Sequence, residues 1–323
     1  MNKHFFLITI DTEGDNLWSR PSQITTENSK YLSRFQQLSE RYGFRPTWLT
    51  NYEMAECPVY RGFARDVVDR DAGEIGMHLH AWNSPPLRPL SDGSEHGAYL
   101  VECPNEVMYE KIAFMTELLR KVFGVWPVSH RAGRWALDER YAMVLSENGY
   151  LVDCSVTPHV SWENNPGATG SGGTDYRNFP DRPYFMDLED ISRQGDSSLL
   201  QLPMTIAPPP FWNEALSYWA KRRRYFSGIR RRLHYHQRWL RPNGQNLKPM
   251  LGLLKRALRR GDDYVMLMLH SSELMPGGSP NFKTEENVEK LYADMETLFE
   301  EAAKDFQGST LAEYRNSLRN DRK

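Results

Sequence analysis

Short apolar stretches rich in β-branched and aromatic residues recur along the chain, and between them the apolar positions shift to helical spacing. That alternation argues for repeated βα units around parallel strands rather than a sandwich. It predicts strands at 5–12, 45–50, 74–80, 127–131, 151–156, 199–204 and 264–270, seven in all. Helical spacing covers 29–42, 60–70, 105–123, 139–148 and 285–304. Gly43, Gly124 and Gly149 stand just past three of those helices, where a left-handed cap favours glycine.

Two regions break the rhythm. Residues 157–198 are polar and glycine-rich, too long for a simple turn, and read as a loop-rich insertion able to cover a cleft. Residues 215–261 read as a basic helical insertion, with fourteen Lys or Arg and no Asp or Glu. The whole chain carries a net charge of only −2, so the rest stands at −16. Lys221–Arg224 and Arg230–Arg232 fit a solvated helical face. They also fit an anionic membrane surface, where each basic residue contributes about 1 kcal/mol. Tyr218, Trp219, Tyr225 and Phe226 would sit at that interface. Nucleic acid is not expected as a partner, because no reader motif accompanies the charge.

At 323 residues and 40% hydrophobic, the chain can bury a large core and reads as a single catalytic domain over 1–323. Cys57, Cys103 and Cys154 are too few and too scattered for a disulfide framework. The apolar run at the start is too short for a signal peptide, and no stretch approaches the roughly 18 apolar residues of a membrane span. The expectation is a cytoplasmic protein, with a peripheral place at the inner membrane if the basic segment docks there.

The chemistry-bearing residues fall at the C-terminal ends of predicted strands, where barrel active sites are built. Asp11 and Glu13 lie at i and i+2 of an extended segment and so share a side, as do His78 and His80. Two imidazoles with one carboxylate form a ligand set for a divalent ion with positions to spare. Each motif alone has a plainer reading, as a capping carboxylate or as packed histidines. Their conjunction with Arg131 and with His270, which ends an apolar strand, is what points to a site. His130 should face away from Arg131, since strand neighbours alternate. Arg134 reads equally as a substrate contact or as a surface charge, and Trp82 and Trp135 as a sugar-stacking wall or as core.

The segments TIDTEGD, EIGMHLHAWNSPP, SHRAGRW, DCSVTP and LMLHSSELMPGGSP, in that order, resemble the five motifs of the NodB-type polysaccharide deacetylases, carbohydrate esterase family 4. The closer resemblance is to the divergent WalW-like branch. It implies a distorted seven-stranded (β/α) barrel and a hydrolase that removes an N-acetyl group from an amino sugar in a glycan or lipid-linked precursor. It implies Asp11 as the catalytic base, paired with Arg131, and Asp153 with His270 as the acid pair. Glu13, His78 and His80 would hold a divalent metal, with zinc the expected ion. Two departures stand out: the family's Asp-Asp is Asp-Thr-Glu here, and its H-x-x-x-H is H-x-H, with Trp82 at the fourth position. The alternatives are an amidohydrolase acting on a small non-sugar amide and a catalytically silent barrel that binds carbohydrate.

Overall fold

The structure, a computed structural model, describes residues 4–88, 90, 98–208 and 237–320. Its strands are β1 (His4–Thr12), β2 (Thr47–Thr50), β3 (Glu74–Leu79), β4 (Ser129–Ala132), β5 (Val152–Asp153), β6 (Tyr184–Phe185), β7 (Leu200–Gln201), β8 (Ile206–Ala207), β9 (Arg238–Trp239), β10 (Tyr264–His270) and β11 (Phe306–Ser309). Seven pair in the order β10-β1-β2-β3-β4-β5-β7, all parallel, and curve into a half-barrel. Antiparallel β6 closes the far edge, and β11 runs beside the first half of β1.

Alternation along the strands sorts the side chains into two cores. Leu7, Leu49, Val152, Leu200, Met266 and Met268 fill the inside of the sheet's curve. Phe6, Ile8, Ile10, Trp48, Met77 and Leu267 face outward, under the helices. Those helices are α1 (Leu32–Arg41), α2 (Tyr52–Glu56), α3 (Pro58–Asp69), α4 (Asn105–Phe123), α5 (Glu139–Glu147), α6 (Leu247–Arg260), α7 (Glu285–Ala302) and α8 (Leu311–Asn320).

All seven expected strands are present, although those at 151–156 and 199–204 are only two residues long by ladder pairing. Backbone bonds continue past both: Leu202 N donates to the Asp153 carbonyl, and Met204 N to that of Val156. Strand β11 carried no readable signal, because Phe-Gln-Gly-Ser neither alternates nor is rich in β-branched residues. Its Gly308 is required by crowding, since a Cβ there would collide with the Gly43 carbonyl.

The gap between β7 and β10 is bridged by a strap. Ile206–Ala207 pairs antiparallel with Arg238–Trp239, Leu240 N donates to the Thr205 carbonyl, and Met268 N on β10 donates to the Leu240 carbonyl. Of the basic segment 215–261, residues 215–236, including Lys221–Arg224, Arg230–Arg232 and the four aromatic residues named with them, lie outside the described residues. The remainder supplies β9 and α6, which buries Met250, Leu253, Leu254 and Ala257 and exposes Lys248, Lys255 and Arg259. No described helix is long and apolar enough to cross a membrane.

Candidate active site

Asp11 closes the inward-facing row of β1, in register with His270 on β10. Its Oδ1 accepts from Arg131 Nη1 at 2.6 Å. The Arg131 guanidinium lies fully buried inside the barrel, also donating to Thr9 Oγ1 (2.8 Å) and to the Cys154 carbonyl (3.1 Å). Burial alone would push the Asp11 carboxyl up. Arg131, helped by His78 and His270, outweighs it and holds the group below the ordinary carboxylate range. Asp11 is therefore ionised, with Oδ2 facing the rings of His78 (4.0 Å) and His270 (3.9 Å).

Glu13 follows the strand end and is clamped there. Its backbone N–H donates to Ser271 Oγ, whose hydroxyl donates back to the Glu13 carbonyl, both at 3.1 Å. Its Oε2 lies 3.5 Å from His78 Nε2 and 3.4 Å from His80 Nε2, and those two nitrogens are 2.9 Å apart. His78 Nδ1 lies 2.9 Å from the Arg131 carbonyl, which can only accept, so Nδ1 carries the proton and Nε2 presents its lone pair to the cluster. Burial disfavours charge on His78, yet the Asp11 and Glu13 carboxylates outweigh it and raise its proton affinity above its ordinary value. Burial, then His78 and His270, push His80 well below the ordinary histidine value.

A cation fits between these three donors. Donors at 2.0–2.2 Å around one tetrahedral ion stand roughly 3.3 Å apart, close to the three spacings here. Glu13, His78 and His80 form a buried group of metal-ligand type. His80 Nδ1 is buried with no hydrogen-bond partner among the described residues. The ring is wedged by Trp82, stacked on it at 4.2 Å, and by Gly133, where a Cβ would collide with His80 Cδ2 and the Leu79 carbonyl.

His270 Nε2 faces this group, 3.9 Å from Asp11 and 3.8 Å from Glu13 Oε1. The pairing expected of it with Asp153 is absent. Asp153 instead accepts from His130 Nδ1 (2.7 Å) and from the backbone N–H and hydroxyl of Ser155 (2.8 Å each). The reason is register: His130 and Asp153 are direct neighbours on β4 and β5, so they share the face opposite Arg131. The acid beside His270 is Glu273, fully buried, whose Oε2 accepts from the His270 backbone N–H at 2.8 Å. Arg241, returning from the strap, brings Nη2 within 3.0 Å of His270 Nδ1 and 3.3 Å of Glu273 Oε1.

Above these groups opens a cleft of about 450 Å³. Trp82, Arg134 and Trp135 line it, together with Trp18, Tyr99 and Trp162, which the sequence reading did not single out. Arg134 and Trp135 adopt consecutive left-handed conformations (φ 54° and 64°), a strained turn of the kind that sites retain. That turn sets Trp135 over the Arg131 guanidinium at 4.9 Å and Arg134 over the Tyr99 ring at 4.1 Å. Trp162 belongs to the loop-rich segment 157–198, which is pinned where Glu102 accepts from the Ala168 and Thr169 backbones. Behind Glu13, Glu53 accepts from Gly14 N (2.6 Å) and Asn83 Nδ2 (2.7 Å). Burial pushes its carboxyl up to about 7, the nearby Glu13 adding to the rise.

No protein-family model matches the sequence, and no curated protein matches it. Among solved structures the chain is similar to a putative glycoside hydrolase/deacetylase from Parabacteroides distasonis, with a TM-score of 0.61 and 15% identity over 99% of this chain and 72% of that one. It is similar to a putative polysaccharide deacetylase from Mycobacterium smegmatis, with a TM-score of 0.54 and 15% identity over 100% of this chain and 92% of that one. A 4-alpha-glucanotransferase from Thermococcus litoralis gives 0.54 at 12% identity, with 98% of this chain covering 40% of that one. The same barrel thus carries different sugar chemistries, so the likeness speaks for architecture. The chain has the distorted (β/α) barrel fold of the NodB-type polysaccharide deacetylases.

Proposed function

We propose that this chain is a divergent member of carbohydrate esterase family 4, nearest the WalW-like branch. In this reading it is a metal-dependent hydrolase that removes an N-acetyl group from an amino sugar in a glycan or lipid-linked glycan precursor. The observation that carries it is the convergence at one barrel end of a charge-paired carboxylate, a Glu-His-His ligand group and a third imidazole, under a cleft walled by aromatic rings. Flat rings suit the apolar face of a pyranose.

Glu13, His78 and His80 would hold the ion, with zinc the expected one. When bound, it supplies Lewis-acid polarisation of the acetyl carbonyl and acidifies water at the site. Asp11 takes the proton as water attacks, its carboxylate held ionised and in place by Arg131. His270, with its Nε2 turned toward the site, donates the proton to the departing amide nitrogen. Trp82, Trp135 and Arg134 hold the sugar, and free amine and acetate leave.

The test is acetate release from N-acetylated oligosaccharides and from small non-sugar amides, before chelation, after it, and after zinc is restored. Zinc-dependent release from the sugars is expected. Release from small amides alone would make this an amidohydrolase, and sugar binding without release a silent barrel. A second proposal concerns location: the exposed basic face of α6, continued by the basic sequence before it, docks on the anionic inner leaflet from the cytoplasm. Flotation with anionic but not neutral liposomes is expected, and equal recovery with both would overturn it.

A further inference from the structure

The charged residues along the cleft divide into a floor and a rim. On the floor, Asp11 is spent on Arg131 at 2.6 Å, Glu13 belongs to the ligand group, and Arg241 lies 3.3 Å from Glu273. On the rim stand Arg20, which is exposed, and Arg134, which is half-buried, and among the described residues no further acid lines the cleft. Arg134 Nη2 donates to the Pro166 carbonyl at 3.0 Å and its guanidinium lies over the Tyr99 ring, contacts that orient the group without cancelling its charge. Burial, with the charge of Arg20 adding to it, holds Arg134 below the usual arginine value against the pulls of Tyr99 and Glu102. Glu102 is itself engaged by the backbone N–H groups of Tyr99, Ala168 and Thr169. The two rim cations therefore feel each other. Both also stand on left-handed backbone, at φ 52° and 54°, where an L-residue is strained. Trp18, two residues before Arg20, meets the His270 ring edge-on at 4.7 Å, and Arg134 follows the glycine that wedges His80, so both cations are anchored beside the reacting groups.

We infer that the acylated amino sugar taken by this cleft carries an acidic substituent, a phosphate ester or a carboxylate, bound between Arg20 and Arg134. The sugar itself rests on the hydrolase reading, which the acidic group narrows to a substrate class. Two like charges held near each other on strained backbone repel, and an anion between them replaces that repulsion with two attractions. Guanidinium groups meet phosphate and carboxylate oxygens through paired N–H donors, which fix direction as well as charge. Trp82, Trp135 and Trp162 supply neutral walls for the sugar ring and leave the acidic group to the two arginines.

The test is calorimetric binding to the zinc-loaded protein, comparing N-acetylglucosamine 1-phosphate and the uronic acid of the same sugar with its neutral methyl glycoside. At low salt at least one acidic sugar should bind on the order of 10-fold more tightly than the neutral one, the contribution of about one charge-assisted hydrogen bond. That preference should shrink as salt rises. Arg20→Gln and Arg134→Gln should each lower it several-fold, Arg20→Lys should keep most of it and Arg20→Glu should abolish it. Arg20 is exposed, so its variants keep the fold. Preference for the 1-phosphate assigns a phosphate ester, and preference for the uronic acid a carboxylate. Equal affinity for neutral and acidic sugars overturns the inference, as does a preference untouched by Arg20→Glu and Arg134→Gln, which is what capture of the anion by zinc alone would give. Acetate release is read separately: the expected binding with no release overturns the hydrolase reading and leaves the anion site standing.

Discussion

Two buried histidine clusters lie on the two sides of strand β4, and they differ in what their atoms lack. On the outer face His130 has both nitrogens bonded, to Asp153 at 2.7 Å and to the Tyr141 hydroxyl at 2.8 Å, and Asp153 is bonded further by Ser155. Every polar atom named there has a neutral or opposite partner, and nothing is left to bind. On the inner face, beside Arg131, His78 and His80 turn nitrogen toward nitrogen, and His80 Nδ1 has no partner among the described residues. Similar residue types at similar burial thus make a cross-brace on one side and a ligand cage on the other. The difference lies in whether the donors and acceptors already close on themselves.

The largest effect that would sharpen this contrast is on rate. Asp11→Asn should lower acetate release on the order of 10²–10⁴-fold while the protein keeps its metal, measured by kinetics alongside elemental analysis. Full activity in a folded, metal-loaded Asp11→Asn protein would break the assignment. Next is metal content: His78→Ala should weaken zinc binding by more than roughly 100-fold, whereas Asp153→Asn on the other face should leave it unchanged. Zinc lost equally from both would erase the distinction between the faces.

A smaller effect separates the faces by stability. Asp153→Ala strands a buried imidazole and should cost about 1–3 kcal/mol in denaturant unfolding, with little change in kcat. The smallest concerns Glu53. Its carboxyl titrates near 7 in the folded chain, against an ordinary glutamate value of 4.5 when unfolded. Between those pH values the folded state holds a proton that the unfolded state has lost, so stability falls as pH rises through that window. Glu53→Gln should therefore gain in Tm over the wild type from pH 4.5 to pH 7.5 in metal-free protein, and a constant difference would contradict the shift.

Much of this was legible from local pattern. The bounds of β10 and α4 coincide with the expected ones, and Gly43, Gly124 and Gly149 do adopt positive φ, because period and caps are short-range signals. Same-side parity within one strand was enough to bring Glu13, His78 and His80 into consideration as a group. Parity between strands was not, and there Asp153 was misplaced: its facing depends on its register with His130, which only the folded sheet supplies. Glu273 did carry a readable sign, an acid three residues past a strand-ending histidine at the start of a helical turn. Arg241 carried none, since it reaches His270 from 29 residues upstream with no motif around it.

The strap that bridges β7 and β10 ties the open edge of the barrel to its last imidazole. Its two arms, Ile206–Ala207 and Arg238–Trp239, pair with each other as a separate two-stranded sheet, outside the parallel ladder of the barrel. The returning arm ends in the guanidinium that touches the last imidazole. A change in how the strap seats that guanidinium would therefore reach the ring without altering any of the five motif-bearing strands.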